Sequence, residues 1–271
     1  MRKSLLLVAV LGTLATSQVV MAEEAAKAAE TAPYTVAYNV GLFSQYIFRG
    51  LTQTKEDPAL QGGVDFTHSS GFYLGAWGSN ISWLKDAGAY DRSSLELDLY
   101  GGYSNTIGDI TYNVGVLQYY YPGKQAAVGG KDLGLKRAET TEVYGSLAYK
   151  WLSAKVSVVA SNGAWGYDNA DGTYYAEVNA NYPIGETGYT VIGHVGRQDF
   201  TGKSAGTEGV VKNSVYSYTD YKLGLSKAWS NGVTVGGYYT GTNVDAQAYK
   251  GGNDGLNIGK DYLTAFVQKT F

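Results

Sequence analysis

Gly259-Lys260-Asp261-Tyr262-Leu263-Thr264-Ala265-Phe266-Val267-Gln268-Lys269-Thr270-Phe271 alternates at period two. Leu263, Ala265, Val267 and Phe271 share one face, and Thr264, Gln268 and Thr270 share the other, as in a β-strand between two different environments. Phe266 is the exception on the polar face. Lys269 breaks the apolar face near its end, where a lysine at a membrane boundary can snorkel to water. In a soluble sandwich this strand would present an aromatic, unpaired edge. In a barrel it closes the sheet against the first strand. The stretch therefore predicts a closing strand, with Phe271 as an assembly signal for barrel-assembly machinery.

Working back from it, the same alternation recurs in eleven earlier segments. They are Thr35 to Phe48, Leu60 to Phe66, Phe72 to Trp83, Leu95 to Tyr103, Ile110 to Tyr121, and Glu142 to Tyr149. Ala154 to Ala160, Tyr174 to Tyr182, Tyr189 to Arg197, Tyr218 to Trp229 and Val233 to Thr242 follow. Most approach the ~9–11 residues that a tilted strand needs to cross a bilayer. The links between them alternate in length. Short ones such as Lys150-Trp151 and Ser230-Asn231-Gly232 are separated by long ones such as Pro122 to Ala138 and Gln198 to Tyr216. A sandwich has no reason to sort its loops by parity. An up-and-down barrel does, with short periplasmic turns and long extracellular loops. The expected fold is all-β: a closed, antiparallel, transmembrane barrel of about 12 strands in the bacterial outer membrane.

Composition agrees. The chain has 25 Tyr and 37 Gly against 4 Pro, and 17% charged residues, a balance suited to many strands and tight turns. It holds no Cys, which excludes a disulfide framework and thiol chemistry. With 21 Lys and Arg against 24 Asp and Glu, it lacks the basic surface that nucleic-acid binding requires. Met1-Arg2-Lys3, the apolar run Leu5 to Ala15 and Val20-Met21-Ala22 read as a signal peptide over residues 1–22. Residues 23–34, Ala- and Glu-rich, read as a flexible periplasmic leader, and 35–271 as the barrel.

Aromatics cluster at strand ends, as the girdles of a membrane barrel do. Tyr103, Tyr149, Trp151, Tyr182, Tyr189, Trp229 and Phe271 stand beside short turns. Tyr46, Phe48, Trp83, Tyr119, Tyr120, Tyr121, Tyr218 and Tyr239 stand beside long loops.

Turning the apolar faces outward leaves an inventory of inward residues: Arg49, Asp65, Glu96, Asp98, Glu142, Lys155, Glu177, His194, Asp220 and Lys222. The fourth segment is the clearest, because Leu95, Leu97 and Leu99 alternate with Glu96 and Asp98. A carboxylate facing lipid at midplane would be expensive, so the acids belong inside. There they either line a pore or pair with the bases as filling. The acidic excess favours cations or neutral polar solutes, and Tyr100, Tyr144, Tyr175 and Tyr238 share these inward faces. No cofactor or metal-ligand pattern occurs.

Two other functions compete with a porin for small polar solutes. A barrel hydrolase needs a nucleophile, a base and a group orienting the base. Of the two histidines, His68 has Ser70 beside a short turn, and His194 has Gly196 where a serine would be wanted. A structural or adhesive barrel with a plugged lumen is the third possibility.

The stretch Asn39 to Thr54 (NVGLFSQYIFRGLTQT), with Asp57 to Gly63, Gly71 to Asn80, Glu96 to Tyr103 and the terminal Phe271, resembles the TorF-like (Gcw_chp) family of proteobacterial porin-type proteins. The similarity runs from about Thr35 onward and is strongest in the first third. It implies an outer-membrane barrel and leaves the solute open.

Overall fold

Period-two alternation gives each strand one apolar and one polar face, and twelve such strands close on themselves. The computed structural model describes residues 32–128, 131–132, 136–206, 209–251 and 256–271. Its barrel strands are β1 (Tyr34–Phe43), β2 (Ala59–His68), β3 (Phe72–Asn80) and β4 (Leu95–Ile107). Next come β5 (Ile110–Tyr120), β6 (Thr140–Tyr149), β7 (Leu152–Val159) and β8 (Tyr174–Pro183). The last four are β9 (Tyr189–Asp199), β10 (Tyr218–Ala228), β11 (Val233–Thr242) and β12 (Tyr262–Thr270). Each strand pairs with the next, and β12 pairs antiparallel with β1, Leu42 opposite Val267 and Phe43 opposite Phe266. Closure removes the open edge that an apolar final strand would otherwise expose.

The two faces have separated as the alternation requires. On β4, Leu95, Leu97 and Leu99 are 38%, 37% and 57% exposed, while Glu96 and Asp98 are 2% and 3% exposed. Exposed Leu60, Leu74, Val116, Val143, Val178 and Leu223 continue the outer belt around the barrel. A belt of this kind is stable against lipid and poorly suited to water. Phe266, the exception on the last strand, points inward and stacks on Phe43 at 5.2 Å. Trp77 is likewise inward, at 7% exposed, whereas Phe72 on the same strand is outward.

Connections sort by length as expected. Residues 69–71, 108–109, 150–151, 184–188 and 229–232 turn at one rim. The longer connections 44–58, 81–94, 121–139, 160–173, 200–217 and 243–261 join strands at the other, residues 129–130, 133–135, 207–208 and 252–255 among them lying outside the described residues. Three boundaries differ from the sequence reading in a way that matters. Strand β1 stops at Phe43, not Phe48, and β3 stops at Asn80, followed by a single helical turn at Trp83–Asp86. Strand β4 instead runs on to Ile107, so only Gly108 and Asp109 are left to make the turn.

The girdle expected at the short-turn rim is present. Tyr149, Trp151, Tyr182, Tyr189 and Trp229 are all more than 40% exposed, on the lipid side of their strands. At the long-loop rim the expectation needs correction. Tyr120 and Tyr239 face out, but Tyr46, Tyr119, Tyr121 and Tyr218 are at most 3% exposed. Phe48 and Trp83 pack against the same interior cluster. These rings pack together on the inner side of the barrel at that rim. The physical reason is the early end of β1, which releases the following segment into the lumen. The signal-peptide reading (1–22) lies outside the described residues, as does the leader up to residue 31.

Candidate functional site

The segment that leaves β1 does not arch outward. Ser44 N–H donates to the Ala265 carbonyl at 2.8 Å, and the chain then turns into the barrel. Ile47 pairs with Thr52 and Phe48 with Leu51, so Arg49 and Gly50 form the tip of a two-residue hairpin. Their φ angles are 47° and 81°, the left-handed pair that such a turn requires. Gly50 is needed for a second reason. A Cβ there would stand 2.5 Å from Thr242 Cγ2 and 2.7 Å from Asp220 Cβ, so the tip lies against β10 and β11.

The base of the hairpin is tied on several sides. Gln53 N–H donates to the Tyr46 carbonyl at 2.8 Å, and Tyr46 N–H donates to Thr54 Oγ1 at 3.0 Å. The Gln53 carbonyl accepts from Ser82 and Trp83 N–H at 2.9 and 3.2 Å. Thr52 N–H reaches the Ile258 carbonyl at 2.9 Å.

Arg49 is the charged end of this plug. Its Nη1 donates to Gln198 Oε1 on β9, and its Nη2 donates to Glu142 Oε2 on β6, both at 2.8 Å. Rings of Tyr175, Phe48 and Trp165 lie 4.3, 4.8 and 5.2 Å from the guanidinium carbon. A planar cation can serve carboxylate, amide and aromatic partners at once. Arg49 is therefore inward as expected, but it arrives on a loop tip and not on β1.

Tyr46 makes the second attachment. Its hydroxyl donates to Glu96 Oε1 at 2.7 Å, and its ring meets Trp77 edge-on at 5.4 Å. Burial above all, and then the charges of Glu96 and Asp98, raise the Tyr46 and Tyr121 phenols well above their ordinary value. Both remain hydrogen-bond donors at any ordinary pH.

All ten inward candidates project into the barrel, and the structure divides them into groups. Glu142 pairs with Arg49. On the β8–β10 wall, His194 Nε2 lies 2.9 Å from both Asp220 Oδ1 and the Tyr175 hydroxyl. Its Nδ1 lies 2.7 Å from Asn179 Oδ1 and 3.6 Å from Glu177 Oε2. Lys155 and Lys222 each face a tyrosine, Tyr144 at 4.5 Å and Tyr238 at 4.8 Å from Nζ. Asp65 accepts from the Tyr100 hydroxyl at 2.6 Å. That ring lies across Gly75, where a Cβ would come within 2.2 Å of it. Strand glycines next to large rings are a recurrent way to fill a barrel. Tyr46, Tyr119, Trp165 and Gln198, which the sequence reading did not place here, complete the plug. Only the Arg49-Gly50 pair between two β-favouring dipeptides signalled a turn at that point.

Residues 27–271 match the family model described as "Bacterial protein of unknown function (Gcw_chp)". No curated protein matches the chain. Among solved structures, the NanC porin aligns with 88% of this chain and 99% of its own at 11% identity, with TM-score 0.49. The KdgM porin aligns with 87% and 97% at 8% identity, with TM-score 0.48. LpxR from Salmonella typhimurium aligns with 87% and 99% at 11% identity, with TM-score 0.43. At these identities and scores the likenesses assign neither solute nor chemistry. The family match spans most of the sequence and all twelve strands: the chain belongs to the Gcw_chp family of bacterial proteins.

Proposed function

We propose that this protein is an outer-membrane channel for small polar solutes, cation-preferring, whose external mouth is closed by an inward hairpin. The mature chain would begin after residue 22, and barrel-assembly machinery would insert it. One observation supports this reading over a permanently plugged, structural barrel. The packed lumen contains polar atoms with no partner among the described residues, such as Asp98 Oδ1, Glu142 Oε1, Arg49 Nε and Ser157 Oγ. A dry structural core would bear a penalty of about 1–3 kcal/mol for each such group. Withdrawal of the hairpin would admit water to these groups and supply the missing partners.

The charges set the expected selectivity. Inward acids Asp65, Glu96, Asp98, Glu142, Glu177 and Asp220 outnumber Arg49, Lys155 and Lys222, and like-signed linings repel anions at close quarters. Under a salt gradient in a planar bilayer, the wild-type reversal potential should report cation preference. Glu96→Gln/Asp98→Asn should move it toward zero. Anion preference in the wild type would contradict the assignment.

Barrel hydrolysis fits the geometry less well. Both His194 nitrogens are engaged by Asp220, Tyr175 and Asn179, and among the described residues no serine is a hydrogen-bond partner of the ring. His68 Nδ1 lies 2.6 Å from Ser70 Oγ, but on an exposed turn where no acid among the described residues bonds the imidazole. A His68→Ala/His194→Ala protein should therefore match wild type in lipid and ester hydrolysis assays. Loss of a robust activity with either change would reverse this reading.

A further inference from the structure

Arg49 occupies a seat whose shape is held by other contacts of the barrel. Glu142 on β6 and Gln198 on β9 accept its two Nη groups, each at 2.8 Å. Gln198 Nε2 donates to the Tyr174 carbonyl at 3.0 Å, which turns Oε1 toward the seat. The Tyr119 hydroxyl on β5 donates to Glu142 Oε2 at 3.1 Å and steadies that carboxylate. Tyr175 on β8 lays its ring 4.3 Å from the guanidinium carbon. Its hydroxyl is anchored by Asp220 at 2.8 Å and His194 at 2.9 Å. Trp165, at 5.2 Å, is fixed by its backbone N–H on Thr140 Oγ1. Phe48, at 4.8 Å, belongs to the hairpin and leaves with it. The rest of the seat stays when the hairpin withdraws.

The tethered arginine does not use this seat fully. Glu142 is 0% exposed, yet its Oε1 has no hydrogen-bond partner among the described residues, and neither has Arg49 Nε. Oε2 instead accepts from both Arg49 and Tyr119. A guanidinium and a carboxylate match best through two parallel N–H···O bonds. The left-handed turn at Arg49 and Gly50, and the packing of Gly50 against Asp220 and Thr242, fix where the side chain starts. From there Arg49 reaches one carboxylate oxygen. A small guanidinium free of the backbone can turn to meet both and still lie against the Tyr175 ring.

We propose that this seat binds solutes carrying a guanidinium group, and that Arg49 is their built-in competitor. This rests on the channel reading and adds a solute class to it. A buried carboxylate, an oriented amide and an aromatic face select a planar cation over a compact one, because an alkylammonium cannot present two parallel donors. Tyr119, Glu142, Tyr175 and Gln198 stand near the long-loop ends of their strands. A solute arriving from that side meets the seat where the hairpin closes the lumen. By taking the seat it displaces Arg49 and loosens the hairpin.

The test is calorimetry of ethylguanidinium with the refolded barrel in detergent micelles, with propylammonium as the compact cation of similar length. Arg49→Ala, whose seat is vacant, should bind ethylguanidinium about tenfold more tightly than wild type does, where Arg49 competes. In the same variant, propylammonium should bind about tenfold more weakly than ethylguanidinium, and adding Glu142→Gln should weaken ethylguanidinium by about as much. Equal affinity for the two cations overturns the proposal. So does equal affinity of wild type and Arg49→Ala, binding that Glu142→Gln leaves unchanged, or no binding to Arg49→Ala. If Arg49→Ala does not fold, Arg49→Gln fills more of the gap without a charge and decides in its place. Calorimetry reads occupancy and not current, so these outcomes stand whether or not the barrel conducts. Tight ethylguanidinium binding beside silent bilayers of wild type and Arg49→Ala supports the seat and contradicts the channel reading.

Discussion

Arg49→Ala should make a mostly closed channel conduct for much more of the time, with mean current per channel rising several-fold over wild type. Arg49 joins the hairpin tip to Glu142 on β6 and Gln198 on β9, and three aromatic rings surround it. Removing one partner of a buried ion pair leaves the other charge uncompensated, at about 3–5 kcal/mol. Two remedies exist for Glu142: bind a proton, or admit water. Water can enter only if the hairpin retreats, so the variant relieves the penalty by opening. Glu142→Gln placed in the same chain removes the stranded charge, and the double variant should conduct less than Arg49→Ala alone. Planar-bilayer recordings of the three proteins check both statements. Equal mean current in wild type and Arg49→Ala would mean that the hairpin is no barrier.

The second large effect concerns the outer wall. Val178 on β8 is 47% exposed, and its register neighbours are Ala154 on β7 and Val195 on β9. Val178→Arg would set a guanidinium in the apolar belt, and a charge at the midplane of such a wall destabilises by about 2–4 kcal/mol. Denaturant unfolding from lipid vesicles should show a midpoint well below wild type. In detergent micelles the difference should shrink, because a micelle surface adapts around the charge. An unchanged midpoint in vesicles would mean that this face does not meet lipid.

Much of this fold was legible because the bilayer penalises mistakes so heavily. Leu95, Leu97 and Leu99 alternate with Glu96 and Asp98, and no other arrangement keeps those carboxylates out of lipid. The reading bounded Val233–Thr242 where the structure does, because Gly232 and Asn243 interrupt the alternation at both ends. Loop parity then fixed how the strands connect. The hairpin was not legible. Tyr46 and Phe48 continue the period of β1, so nothing local distinguishes a longer strand from a strand followed by an inward turn. Ring placement suffers from the same ambiguity, since a tyrosine at a strand end can serve a lipid girdle or a lumen plug. Partnerships inside the lumen were out of reach for another reason. Arg49 meets Glu142 across 93 positions of sequence and Gln198 across 149, and only closure of the barrel brings them together.

The central claim is that the hairpin closes a lumen that otherwise conducts. The chain has no cysteine, so a disulfide can be introduced cleanly between the tip and the wall. A Cβ at Gly50 would lie 2.5 Å from Thr242 Cγ2, which puts the two β-carbons close to the separation of about 3.5–4.5 Å that a disulfide spans. A side chain at this left-handed position costs roughly 1–2 kcal/mol; Thr242→Cys removes the Cγ2 that would crowd it, and Asp220, whose Cβ would stand 2.7 Å away, has to shift for the link to form. Single-channel recording of Gly50→Cys/Thr242→Cys, oxidised and then reduced in the same bilayer, tests the claim directly. The account predicts silence or minimal current while the bond is intact, and stepwise openings once dithiothreitol cleaves it. Equal conductance before and after reduction would contradict it.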